Sequence, residues 1–186
     1  MLTYFPYKLD CQDLLIAESI AQLQNKWHNK NRGFTFSVTF TESIRSILDK
    51  ELQSRNLPKF AYTVCFARPA KDQQSIHVDG TNSTTCASLN IPLMGCKNSV
   101  MEWFSGDYQV VRKNYTDQSG QTVYYQEVVW NSEFNPIASL ELIESHMVRV
   151  DVPHRTTAND IDLRAVLCLR FLGNPTWDQV CSKVRG

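Results

Sequence analysis

The sequence lacks an excess of charge of either sign and lacks any long apolar run. Lysine and arginine together number 19, and aspartate and glutamate together also number 19. Without a basic field, we expect no strong binding to nucleic acid or to anionic lipid. No apolar run approaches the roughly 18 residues of a membrane-spanning helix. The opening MLTYFPYKLD shows no basic stretch followed by an apolar one, so a secretory signal is not expected.

The sequence also lacks a C-x-x-C pair, although it contains six cysteines. Structural zinc sites commonly use such pairs, so a zinc-binding module is not expected. Scattered cysteines without a signal peptide are typical of reduced, mostly buried side chains in a cytoplasmic protein. The chain has no internal repeat and no linker rich in proline, glycine or serine, and its length suits one domain over residues 1–186.

Hydrophobic periodicity changes along the chain from a helical pattern to a period of two. Asp10 is expected to cap a helix whose apolar face includes Leu14 and Leu23, and a second helix should begin near Thr41 and end before Pro58. A short helix should open near Thr176. The predicted strands cover residues 34–40, 60–67, 84–95, 99–104, 108–112, 122–130, 146–152 and 163–172, with a polar hairpin connection at 113–121.

Two helices followed by many short strands are typical of an antiparallel sandwich or barrel. The sequence therefore predicts a mainly β protein with flanking helices. A helical buttress of about residues 1–58 should lie against one outer face of a strand core of about 59–173, and the C-terminal helix should occupy 174–186.

One short motif, SIHVDG, places His77 and Asp79 two residues apart. On a β-strand these side chains would point to the same face. His154, in RVDVPHRTT, is expected at the end of the predicted strand 146–152. If the three meet, they form the arrangement of two imidazoles and one carboxylate that non-haem Fe(II) oxygenases use, with further metal positions open. Arg164 should begin the next strand, beside the one that carries His154, and could pair the carboxylate of a chelating co-substrate.

Four segments in order, IHVDG, LNIPL, VPHRTT and LRAVLCLRF, resemble the core of the Fe(II)/2-oxoglutarate-dependent dioxygenases over about residues 60–172. The resemblance implies a double-stranded β-helix, which is a cupin-like jelly roll. It implies that His77, Asp79 and His154 bind iron and that Arg164 anchors the distal carboxylate of 2-oxoglutarate. It further implies hydroxylation of a substrate by O₂, with release of succinate and CO₂.

Within that family, HVDGTN followed by LNIPL is similar to the aspartyl/asparaginyl hydroxylase branch, and the phytanoyl-type branch is also similar. Members of the former branch lack the metal-binding carboxylate that stands here as Asp79. The same carboxylate distinguishes the chain from the halogenases, which have a small residue at that position. The resemblance therefore leaves the branch and the substrate open.

Several neighbouring residues have competing interpretations. Arg170 shares the strand parity of Arg164, but their Cα atoms would lie about 20 Å apart, and Arg164 is favoured as the anchor. The Arg-x5-Arg spacing also occurs in nucleic-acid oxidative demethylases, which have an Asn and a Thr that RAVLCLR lacks. Asn90, beside Cys86 and Ser88, is a candidate donor to 2-oxoglutarate. His28 and His146 are expected at the surface or in structural roles. Arg68, before Pro69, could reach over the pocket mouth, although a surface role is favoured.

Two other functions remain open from the residues alone. A cupin-type metal dioxygenase could use the same ligands without 2-oxoglutarate, and a non-catalytic jelly-roll module could retain the residues without a pocket. The substrate could be a small molecule or a protein side chain. The sequence indicates neither the substrate nor the oligomeric state.

Overall fold

The computed structural model describes residues 2–27, 33–79, 86–116, 122–158 and 163–185. The helices in these ranges are α1 Gln12–Lys26, α2 Glu42–Ser54 and α3 Trp177–Arg185. The strands are β1 Tyr4–Pro6, β2 Phe34–Ser37, β3 Phe60–Arg68, β4 His77–Val78, β5 Ala87–Met94, β6 Val100–Ser105, β7 Tyr108–Thr116, β8 Thr122–Trp130, β9 Asn135–Glu141, β10 His146–Arg149, β11 His154–Thr157 and β12 Arg164–Phe171.

The strands form two antiparallel six-stranded sheets, with the orders β1-β10-β5-β12-β3-β2 and β7-β8-β4-β11-β6-β9. Strand pairing is nested, because β3 pairs with β12, β4 with β11, β5 with β10 and β6 with β9. Such nesting of eight strands across two sheets is the jelly roll. The predicted double-stranded β-helix is therefore confirmed, with the β7–β8 hairpin as an insertion that extends the second sheet.

The three helices cover the outer face of the first sheet, as the sequence predicted. Leu15 and Leu23 of α1 and Leu48 of α2 share one buried cluster with sheet residues such as Leu89 and Leu167. Thr41 caps α2 by accepting a hydrogen bond from the Ile44 amide, and Thr176 caps α3 through the Gln179 amide. The segment expected to be a helical buttress also contributes β1 and β2 to the edges of this sheet.

The predicted start of α1 is wrong in detail. Asp10 does not cap the helix, which has Cys11 at its N-cap and no side-chain cap there. The amides of Asp10 and Cys11 instead donate to the carboxylate of Glu51 in α2, at 2.5 and 2.9 Å. A tertiary partner thus replaces the local cap. The predicted apolar face is also shifted, because Leu14 is 48% exposed while Leu15 and Leu23 are buried.

Two predicted strands end earlier than their patterns suggested. β2 stops at Ser37 and β10 stops at Arg149. After β10 the chain crosses between the sheets, where the Val150 amide donates to Cys86 and the Val150 carbonyl accepts from Asp79. Pro153, which has no amide hydrogen, comes before β11. His154 is consequently the first residue of a new strand in the second sheet, which corrects its predicted place at the end of strand 146–152.

Candidate metal centre

The side chains of His77 and His154 are brought together by the register of two strands. His77 begins the short strand β4 and His154 begins β11, and the two residues are direct antiparallel partners. Directly opposite residues place their side chains on the same face of a sheet. Their imidazole centroids lie 4.5 Å apart with the rings tilted by 50°.

Asp79 completes the cluster from the turn that follows β4. Its Oδ1 atom lies 3.4 Å from Nε2 of His77 and 3.7 Å from Nε2 of His154. The three ligand atoms all lie within 4.8 Å of one another, as a shared metal ion would require. The structure therefore gathers the three residues that the sequence singled out, although they come from distant parts of the chain.

Hydrogen bonds to the backbone fix the orientation of both imidazoles. Nδ1 of His77 lies 2.9 Å from the Ser75 carbonyl, and Nδ1 of His154 lies 2.9 Å from the Val152 carbonyl. Each carbonyl accepts a hydrogen bond from Nδ1, which leaves the Nε2 lone pair of the neutral ring facing the cluster. Burial, and then the neighbouring His77, lowers the pKa of His154 to about 4, so this ring is neutral near pH 7.

The remaining oxygen of Asp79 is occupied by Arg170 of β12. The Arg170 guanidinium donates to Oδ2 in a short ion pair, and this arginine is buried. Burial would raise the pKa of Asp79, but its polar contacts, of which the Arg170 charge is the largest, hold the pKa well below its usual range. Asp79 is therefore ionised and presents one oxygen to the imidazoles.

Arg164 lies on the wall of the same cavity, and no carboxylate among the described residues pairs with it. It is only 4% exposed, its Nε atom has no hydrogen-bond partner, and it makes no ion pair with a carboxylate of the described residues. Burial lowers the pKa of this guanidinium. A buried unpaired charge is costly, so the cavity is suited to an anionic ligand.

The predicted location of Arg164 is wrong in one respect. β12 does not lie beside β11, because it pairs with β3 and β5 in the other sheet. Arg170, not Arg164, contacts the metal-ligand cluster. Both arginines do line one cavity, as their shared parity predicted. The chain returns to the first sheet after β11 because consecutive jelly-roll strands alternate between sheets there.

The other candidate residues have varied positions. Asn90 lines the cavity, and its Oδ1 accepts a hydrogen bond of 2.6 Å from Ser88. Cys86 lies instead near Asp151 and Trp177. His146 is buried in β10 against the Tyr4 ring, in keeping with a structural role. His28 lies outside the described residues.

For Arg68, the sequence favoured a surface role over a place at the pocket mouth, and the structure puts its side chain in the cavity wall. Arg68 ends β3 directly opposite Arg164 and lines the cavity. The sign in the sequence was that Arg68 lies two residues after Phe66 on one strand, so both side chains point to the same face. Phe66 also lines the cavity. That signal gains meaning only when the pairing of β3 with β12 is known.

No family model matches the chain, and no curated protein matches it in sequence. Similar solved structures include E. coli ycfD, at 14% identity over 84% of this chain and 37% of that one, with a TM-score of 0.47. EvdMO1 is 11% identical over 91% of this chain and 47% of its own, with a TM-score of 0.48. This chain thus spans less than half the length of both proteins.

A third similar structure is the viral collagen prolyl hydroxylase vCPH from Paramecium Bursaria Chlorella virus-1, in complex with 2OG. The identity is 8% over 91% of this chain and 95% of that chain, with a TM-score of 0.44.

No helix of the described residues is both long and apolar enough to cross a membrane. By its own strand order, the chain is a jelly roll of the type that 2-oxoglutarate oxygenases and cupins share.

Proposed function

We propose that the chain is a non-haem Fe(II)- and 2-oxoglutarate-dependent oxygenase that hydroxylates its substrate. One observation carries the proposal. His77, Asp79 and His154 converge on a cavity that is also lined by the buried guanidinium of Arg164, which pairs with no carboxylate of the described residues. The cavity thus offers donor atoms for a metal cation and a positively charged side chain for an anionic co-substrate.

The donor atoms of the cluster fit a divalent metal. Two imidazole nitrogens and one carboxylate oxygen match the facial ligand set of non-haem Fe(II) oxygenases, which leaves positions for a co-substrate and O₂. Both Nε2 atoms lack a proton when Nδ1 donates to the backbone, and Asp79 is ionised. Three lone pairs that face one another repel, and a metal cation would offset that repulsion.

The polar groups of the cavity fit a dicarboxylate co-substrate. Arg164 would pair the distal carboxylate of 2-oxoglutarate, since Arg170 is already engaged by Asp79. Asn90 is a further polar side chain of the same cavity. When bound, iron and 2-oxoglutarate supply the oxidising chemistry with O₂, and the co-substrate is converted to succinate and CO₂.

The protein's own residues have three roles in this proposal. His77, Asp79 and His154 bind the metal, Arg170 holds the Asp79 carboxylate in place, and Arg164 orients the co-substrate. The two sheets bury His154, Arg164 and Arg170 and so limit the access of water. The substrate is a small molecule or a protein side chain. We place the enzyme in the cytoplasm, since Cys11, Cys65, Cys86, Cys96 and Cys168 are free thiols.

The test is anaerobic reconstitution with Fe(II), followed by addition of O₂ and detection of succinate formed from 2-oxoglutarate. His77→Ala and His154→Ala should abolish metal binding and succinate formation. His146→Ala is the matched control, since His146 is also buried and has the same Nδ1 contact of 2.9 Å with a backbone carbonyl. That control should keep its metal. Wild-type metal affinity in a protein with both His77 and His154 replaced would refute the assignment.

A further inference from the structure

We infer that Arg68 is a second binding residue for the distal carboxylate of the co-substrate and that Asp72 competes for it. This inference rests on the proposed use of 2-oxoglutarate. It assigns a role to an arginine that the sequence placed at the surface, and it makes the Arg68–Asp72 ion pair a state that the ligand must open.

The strand register puts two arginines at directly opposite positions of neighbouring strands. Arg68 of β3 and Arg164 of β12 are direct antiparallel partners, and both line the cavity. Directly opposite side chains have Cβ atoms about 5 Å apart, and like charges in such pairs are destabilising. Burial, and in smaller part the charge of Arg68, lowers the pKa of Arg164. The pair would be stabilised by an anion between the two groups.

Among the described residues, the charges at this end of the cavity do not balance. Asp72 is the only carboxylate of the described residues that pairs with either arginine, through Oδ2 at 3.2 Å from Nη1 of Arg68. In the described part of the chain, the two guanidinium groups thus have one carboxylate between them, and it contacts Arg68. A carboxylate ligand would neutralise the remaining charge, and two planar guanidinium groups can offer it paired hydrogen bonds.

The Arg68–Asp72 pair is one that a ligand could exchange. Both side chains are partly exposed, at 23% and 29%, and ion pairs near the surface contribute little to stability. A buried arginine–carboxylate contact of the same geometry is stronger, because water competes less for it. The difference in strength between these two contacts therefore favours exchange of the Asp72 carboxylate for that of the ligand.

Gly33 accounts for the present course of the Arg68 side chain. A Cβ atom on Gly33 would lie 3.0 Å from Cδ of Arg68 and 3.1 Å from its Nη1 atom. The side chain thus lies over the glycine beside β2, on the side of β3 away from β12. Turning toward Arg164 would release this close packing and bring the guanidinium to the ligand.

The experiment measures co-substrate binding rather than turnover. The full chain is loaded with Mn(II) under anaerobic conditions and titrated calorimetrically with 2-oxoglutarate and with 2-oxopentanoate, which lacks the distal carboxylate. Arg68→Met should weaken binding of 2-oxoglutarate about tenfold or more and leave 2-oxopentanoate unchanged. Asp72→Asn should tighten 2-oxoglutarate severalfold. Arg155→Met, which removes an arginine paired with Glu102 at 2.7 Å, is the control and should change neither affinity.

The outcomes separate this inference from the proposed function. If the unsubstituted protein does not bind 2-oxoglutarate, the proposed function fails and the inference fails with it. If it binds and Arg164→Met abolishes binding, but Arg68→Met does not weaken it, only the role of Arg68 is refuted. An equal loss for both oxoacids in Arg68→Met would also refute it. Arg68→Lys should bind 2-oxoglutarate with intermediate affinity, which guards against a folding defect in the methionine variant.

Discussion

Arg170 occupies one oxygen of the Asp79 carboxylate and leaves the other facing the two imidazoles. The guanidinium donates to Oδ2, while Oδ1 faces Nε2 of both His77 and His154 at 3.4 and 3.7 Å. A carboxylate held in this way can give only one oxygen to a metal without breaking the ion pair. In the proposed metal site, Arg170 is thus a positioning residue for Asp79.

Replacing Arg170 with methionine should weaken metal binding by about 10- to 100-fold, since partners of metal ligands commonly contribute that much. Without the guanidinium, burial raises the pKa of Asp79 and protons compete with the metal. The loss should therefore grow as the pH is lowered. Metal titration at several pH values measures it, with Arg170→Lys as the charge-conserving control. An affinity that is unchanged at every pH would show that Arg170 does not position Asp79.

Arg164→Met should have opposite effects on binding and on stability. The apo protein should gain about 1–3 kcal/mol in its free energy of unfolding, because an apolar side chain replaces a buried guanidinium that pairs with no described carboxylate. Binding of 2-oxoglutarate should fall sharply. Urea unfolding and calorimetric titration measure the two effects.

The same variant distinguishes the rival function. A cupin-type dioxygenase that does not use 2-oxoglutarate would keep its activity when Arg164 is replaced. A protein that loses stability and keeps its affinity for 2-oxoglutarate would contradict both expectations for this arginine.

Gly95 is required by the turn between β5 and β6. Its φ is +60°, and a Cβ atom there would lie 1.8 Å from the Leu163 carbonyl oxygen. Gly95→Ala should destabilise the protein by more than about 3 kcal/mol, since backbone would have to move. Gly173→Ala is the control, because its φ is +79° but nothing lies within 4 Å. It should cost only about 1 kcal/mol in thermal or urea unfolding, and equal losses would show that the clash at Gly95 is relieved.

Glu51 links the two helices, and its removal should affect both stability and thiol chemistry. It accepts hydrogen bonds from the amides of Asp10 and Cys11 and pairs with Arg55 at 2.8 Å. Glu51→Gln should cost about 1–2 kcal/mol, as loss of a helix cap does. Burial, and then Glu51, raises the pKa of Cys11 to about 12. The variant should lower that pKa.

Alkylation of Cys11 should consequently be faster in Glu51→Gln than in wild type at any pH below that pKa, because the thiolate is the reacting form. Peptide mapping after iodoacetamide treatment measures it. Glu18→Gln on the same helix α1 is the control. An unchanged alkylation rate, with unchanged stability, would show that Glu51 does not act on the start of α1.

Much of the fold followed from local pattern. The β8 range, Thr122–Trp130, was predicted to the residue, and α2 begins directly after its Thr41 cap. β1 and β9 were not predicted, because the first is three residues long and the second contains Pro136 on an edge strand with little alternation. Their strand character comes from partners in the sheets and not from their own sequences.

Part of the candidate site, too, could be predicted from the sequence, and part could not. The spacing of His77 and Asp79 and the residue types of His154 and Arg164 are properties of the sequence, and they suffice to suggest the metal cluster. Only the tertiary structure decided that Arg170 holds Asp79 and that Arg68 stands opposite Arg164. The reason is physical: side-chain parity follows from a strand's own period of two, whereas the partner across the sheet is set by the register of chains far apart in sequence.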